Sequence, residues 1–121
     1  MKIKIISTVT FLSIFLSSCY YHKEEDLNPV PCDNTSVTYS STITGLLAKY
    51  ECTICHSGPA PSGGFVLVGY NNVKAKVLDN RLLGAISHAS GFSPMPQGGS
   101  KLTDCEISKV KKWIDAGAPE N

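Results

Sequence analysis

The chain has 121 residues, 42% of them hydrophobic and 17% charged, and eleven Lys and Arg against ten Asp and Glu give a formal net charge of +1. That length is one domain's worth. The near-balanced charge excludes the strongly basic footprint on which nucleic-acid binding rests.

Lys2 and Lys4 give the chain a positive start, Ile5 to Leu16 is mostly apolar, and Ser17, Ser18 and Cys19 come next. This pattern reads as a secretory signal peptide over residues 1–18, too short and too rich in Ser and Thr for a membrane span. Leu16-Ser17-Ser18-Cys19 resembles the bacterial lipobox, which implies that Cys19 becomes the lipid-bearing first residue of the mature protein. The alternative is an ordinary signal peptide with a free Cys19. An acylated terminus would hold a small domain on a membrane without any spanning helix. Without Lys2 and Lys4 the mature chain keeps nine basic and ten acidic residues, a net charge of about −1.

Residues 19–36 read as a tether. Tyr20 to Asp26 is polar and charged, Pro29 and Pro31 stiffen its second half, and apolar periodicity is absent. His22 is expected to be a solvent residue. The run Lys23-Glu24-Glu25-Asp26 resembles the acidic surface-export signal of Bacteroidetes lipoproteins, with a plain solvated linker as the alternative.

Residues 37–121 carry the domain. Ile43, Leu46, Leu47, Tyr50 and Ile54 recur at intervals of three and four, which predicts a helix from about Ser41 to Cys55, capped by Ser40 or Ser41. It ends in Cys52-Thr53-Ile54-Cys55-His56, the attachment signature of c-type haem. Positions i and i+3 share a helix face, so two thiols at that spacing can form thioethers along one porphyrin edge. His56 then stands where its imidazole can meet the iron. Cys-x-x-Cys also serves zinc sites and redox dithiols. A four-ligand zinc site is disfavoured because the chain has no second Cys-x-x-Cys or spaced His pair. A thiol oxidoreductase is disfavoured by the lack of a βαβ pattern around the motif.

The Ser57 to Gly64 stretch, with Pro59, Pro61 and three glycines, must be loop. A proline carbonyl within it would accept the His56 Nδ1 proton and fix the tautomer. Phe65 to Val68 is an apolar run that either packs on the porphyrin or forms a brief extended piece. Two short helices are expected over Tyr70 to Leu78 and Leu82 to His88. Gly91 to Gly99 is a second breaker-rich loop, in which Met95 lies between Pro94 and Pro96. A thioether flanked by prolines is held with little lost entropy, and Met95 is the candidate sixth ligand to the iron. His88 is its competitor. The last segment has the clearest helical signal. Thr103-Asp104-Cys105-Glu106 has capping-box form, Ile107, Val110, Trp113 and Ile114 make one apolar stripe, and Gly117 with Pro119 after it stops the helix.

Five cysteines divide into Cys19 for lipid, Cys52 and Cys55 for haem, and Cys32 with Cys105 left over. In an exported protein an even remainder suggests a disulfide, and two unpaired buried thiols are the alternative. About 85 residues make a small core that usually needs such a staple.

The Cys52-x-x-Cys55-His56 motif, Met95 in a Ser-Pro-Met-Pro loop and the C-terminal Trp-Ile-Asp-Ala-Gly-Ala segment together resemble a class I c-type cytochrome. More closely, they resemble the small monohaem cytochrome c domains of Bacteroidetes lipoproteins. The resemblance covers roughly residues 37–119. It implies an all-α bundle of three to five short helices around one covalent haem c, with the first and last helices crossing. It also implies thioethers at Cys52 and Cys55, His56 as proximal ligand, Met95 as distal ligand, and Trp113 and Ile114 at the helix crossing or haem wall. A Cys32–Cys105 bridge is not part of the general family pattern, and the short span before Met95 implies a more exposed haem.

The expectation is therefore an electron carrier rather than an enzyme. It would sit in the cell envelope of a Gram-negative bacterium, lipid-anchored on the periplasmic or cell-surface side. Its partners would be redox proteins and the membrane, with no nucleic acid and no small-molecule substrate. The competing reading is a haem c sensor or small peroxidase-like enzyme with an open or weakly ligated iron.

Overall fold

The computed structural model describes residues 31–121. The expected signal peptide, Cys19, His22 and the charged run at 23–26 lie outside the described residues. A wide π-type turn, Tyr39–Ile43, runs into α1, Thr44–Lys49. A single turn, α2, spans Cys52–Cys55, and a 3-10 turn comes after it at Ser62–Gly64. Then come α3 (Tyr70–Leu78), α4 (Arg81–Ile86) and α5 (Asp104–Asp115). The described residues contain no strand, so the all-α expectation holds at that level. None of their helices is long and apolar enough to cross a membrane.

The first helix differs from its sequence expectation at both ends. Its cap is Thr38, whose hydroxyl accepts the Ser41 N–H at 3.2 Å, rather than Ser40 or Ser41. Asn121 adds to the same end, its side-chain oxygen accepting from Tyr39 N–H and its carbonyl from Ser40 N–H, both at 2.8 Å. The run to Cys55 is also broken. Glu51 takes the left-handed conformation (φ 52°) and turns the chain out of α1 before α2 begins. That conformation is strained for a residue with a β-carbon, and neither Gly nor Pro marks it in the sequence.

The capping box of α5 is complete. Glu106 N–H donates to Thr103 Oγ1 at 3.3 Å, while Glu106 Oε2 accepts from Thr103 N–H at 2.9 Å and Thr103 Oγ1 at 2.7 Å. The carboxylate also reaches α1, accepting from Tyr50 Oη at 2.5 Å and Lys49 Nζ at 2.6 Å. Burial by itself would raise the Glu106 pKa. The hydrogen bonds from Lys49, Tyr50 and Thr103 outweigh it and bring the carboxyl down to about 2.

The core lies between the start of the domain and α5. Trp113, Val73 and Ile43 are its largest fully buried side chains, joined by Leu67, Leu82, Ile86, Leu102, Val110 and Ala118. Tyr39 packs edge-on to Tyr70 (5.1 Å between centroids) and tilted against Trp113 (5.8 Å), so the first helical segment meets α5 at this aromatic cluster. Trp113 Nε1–H donates to the Pro119 carbonyl at 2.9 Å, which satisfies its one polar atom. Gly117 (φ 89°) ends α5 with the chain turned back so that the Ala118 N–H reaches the Trp113 carbonyl at 2.9 Å.

One compact unit runs from Cys32 to Asn121. Residues 32–36, within the stretch expected to be tether, are fastened to α5. Cys32 is disulfide-bonded to Cys105 (Cα–Cα 5.4 Å), and Asn34 Nδ2 donates to Ser108 Oγ at 2.8 Å.

Two consequences are measurable. The folded Glu106 carboxyl binds its proton near pH 2 and the unfolded one near 4.5. The carboxylate thus contributes about 3 kcal/mol, fully present above pH 4.5 and lost as the pH falls toward 2. Glu106→Gln is expected to lower the unfolding free energy at pH 7 by about 2–3 kcal/mol. It should also flatten the pH dependence in that window, as read by urea titrations at pH 7 and 3. The disulfide closes a loop across a sequence separation of 73. Replacing both its cysteines with serine should remove about 4 kcal/mol by the chain-entropy model, seen as a lower urea midpoint.

Candidate functional site

α2 is a single helical turn, closed by His56 N–H donating to the Cys52 carbonyl at 3.0 Å. Cys52 and Cys55 are the free cysteines among the described residues, Cys52 half-buried against the core and Cys55 exposed. Ile54 between them is 71% exposed, although its spacing had placed it on the apolar stripe of a continuous helix. The break at Glu51 is what turns it outward. Burial pushes the Cys52 thiol above its ordinary range, the opposite of the depressed pKa that marks a reactive dithiol.

His56 is buried, 6% exposed. Its Nδ1 lies 3.0 Å from the Ser62 carbonyl oxygen. The acceptor is thus the residue after Pro61, not a proline as expected from the sequence. No described residue hydrogen-bonds Nε2. Pro61 leaves the chain extended, and Gly63 (φ 70°) and Gly64 (φ 74°) then fold it back toward the ring. A β-carbon at 63 would stand 3.0 Å from Phe65 Cε1, so glycine permits the loop to close there.

Phe65 stacks on His56, with centroids 4.4 Å apart and planes 18° from parallel, and Lys76 Nζ lies 4.9 Å from the Phe65 centroid. Leu67 N–H donates to the His56 carbonyl at 2.8 Å, so the 65–68 run is a brief extended piece laid along the histidine. His56 is therefore held by its backbone, by Nδ1 and by a ring face. Sequence reasoning missed Phe65 as a support for this imidazole. An aromatic residue just beyond a Gly-Gly pair was the available signal.

Met95 lies half-buried in the second loop, where its N–H donates to the Ala85 carbonyl at 3.0 Å. Its carbonyl oxygen is 3.1 Å from His88 Nε2. The two residues weighed as rival ligands are thus in contact with each other. Phe92 packs over Gly84 in the same region, where a β-carbon on Gly84 would come within 2.5 Å of the ring.

The donor set fits a c-type haem. Two unbonded thiols one helical turn apart adjoin an imidazole whose Nδ1 is occupied and whose Nε2 is without a described partner. An anchored Nδ1 is what fixes the tautomer of a metal-ligating histidine. Among the described residues no group of three or more His, Cys, Asp or Glu is gathered as a metal cluster.

Fold and site together define a small helical domain whose Cys-x-x-Cys-His turn runs from the half-buried Cys52 through the exposed Cys55 to the buried His56. Comparison with protein-family models finds no match, and neither do comparisons with curated proteins and with solved structures.

Gly63→Ala should force the loop off Phe65. The expected cost is about 1–2 kcal/mol of stability in urea unfolding, together with shifted ring resonances of His56 by NMR.

Proposed function

We propose that this is an exported, lipid-anchored c-type cytochrome that transfers single electrons through a His56/Met95-ligated haem. The observation that carries the reading is the His56 imidazole, buried and oriented through Nδ1, with Nε2 bonded by no described residue and two free thiols on the preceding turn. In this reading Cys52 and Cys55 hold the haem covalently, His56 is the proximal ligand and Met95 the distal one. When bound, the haem would supply a one-electron couple, its potential raised by thioether ligation.

The chain's own residues supply rigidity. Ser62 and Phe65 hold the His56 ring in one orientation, and Met95 is tethered by its backbone to Ala85 and His88. Ligands fixed in advance change little when the charge changes, which is what fast electron transfer requires. Cys55 is exposed, so a group attached there reaches the surface and is available to a redox partner through a small, transient contact. The raised Cys52 pKa weighs against a dithiol oxidoreductase.

The test uses protein matured in an envelope that carries haem-ligation machinery. Ferric and ferrous absorption spectra should show one covalently held haem that denaturing extraction does not remove. The weak near-red band of a thioether–iron bond should be present in the parent and absent in Met95→Ala. A colourless exported protein sinks the proposal. Haem without that band, with rapid carbon monoxide binding in the parent, would instead point to a sensor or peroxidase-like site.

A further inference from the structure

His88 stands where helices usually place glycine. α4 ends with His88 N–H donating to the Ala85 carbonyl at 3.2 Å and Ala89 N–H donating to the Gly84 carbonyl at 2.9 Å. The residue at this joint must enter the left-handed region, and glycine is favoured there because it has no β-carbon. His88 enters it nonetheless, with φ 53°. Strain of that kind persists where the surroundings over-determine it, and the surroundings here are the Met95 loop.

The left-handed turn aims the imidazole back at that loop, with Nε2 at 3.1 Å from the Met95 carbonyl oxygen. With its proton on Nε2 the ring donates to that oxygen. The Met95 N–H donates to the Ala85 carbonyl, the same acceptor that receives the His88 N–H. Both backbone polar groups of Met95 are therefore tied to the end of α4. Phe92, packed into the space left by Gly84, pins the start of the loop to the same helix.

We infer that His88 is the positioning residue for Met95, its ring holding the Met95 carbonyl so that the loop keeps one shape, and that it is not itself an iron ligand. The inference rests on Met95 being the distal ligand. Without the His88 contact the loop retains one backbone tie fewer, and an external base competes more easily for the iron.

The experiment compares the matured parent holoprotein with His88→Gly and His88→Gln. Free imidazole serves as the competing ligand, and three properties are read: the near-red thioether band, imidazole affinity, and hydrogen exchange of the Met95 amide. Glycine relieves the left-handed strain, so His88→Gly should unfold at an equal or higher urea concentration. It should nevertheless bind imidazole roughly five- to tenfold more tightly, the size expected for loss of one hydrogen bond, and its Met95 amide should exchange faster by a similar factor. His88→Gln, which can still donate to the carbonyl, should recover part of both effects. A merely structural role for His88 would move stability and leave imidazole affinity alone. If the parent shows the band and His88→Gly changes neither affinity nor exchange, the positioning role is overturned while Met95 ligation stands. If the parent lacks the band and carries a bis-nitrogen spectrum that His88→Gly abolishes, His88 is the ligand and both readings fall.

Discussion

A carboxylate taken out of water must be met by donors, and Glu106 is met from both ends of the helical frame. Thr103 supplies two donors at the start of α5, and Lys49 and Tyr50 supply two more at the end of α1. Losing either side would leave a buried charge short of partners, which is far more costly than the net worth of the contact. The consequence reaches the site because Lys49 and Tyr50 directly precede Glu51, where the chain leaves α1 to start the Cys-x-x-Cys turn. A residue on α5 thus holds the end of α1 directly before the left-handed Glu51, after which α2 begins.

Local signals were legible where one residue type had one physical use. The Thr103/Glu106 box, the Gly117 stop and the α3 boundaries stand as read from the sequence. What escaped was tertiary. The kink at Glu51 carries no glycine or proline, and the residues just before it, Lys49 and Tyr50, are bonded to Glu106 from far later in the chain. The reach of Glu106 beyond its own capping box was equally invisible, since a capping glutamate usually faces water. For the site, Cys52, Cys55 and His56 were legible as a motif, and a backbone acceptor for Nδ1 was legible as a need. The need is met by Ser62 rather than by a proline, since it is the glycine pair after Ser62 that folds the loop onto the ring. His88 and Met95 looked like competitors because sequence shows only which side chains are present, and their relation runs through the Met95 backbone.

Under the proposed reading, the two axial positions are supported differently. The His56 ring is held by a carbonyl and an aromatic face, both from residues within ten positions of it. The Met95 loop is held by one backbone hydrogen bond to Ala85 and one contact with the His88 ring, both at the end of a six-residue helix. A buried, stacked ring is harder to displace than a loop on two hydrogen bonds, so ligand exchange, where it occurs, begins on the methionine side.

The disulfide has a mechanical consequence. Cys32 opens the compact unit, and its partner Cys105 lies in the first turn of α5. Residues 33–104, which include α1 to α4 and every site residue, lie inside that covalent loop. Tension arriving through the chain ahead of Cys32 passes across the sulfur–sulfur bond into α5 and cannot draw those residues out one after another. The domain can therefore be tugged by its leading segment without the load unravelling the Cys-x-x-Cys turn or the methionine loop.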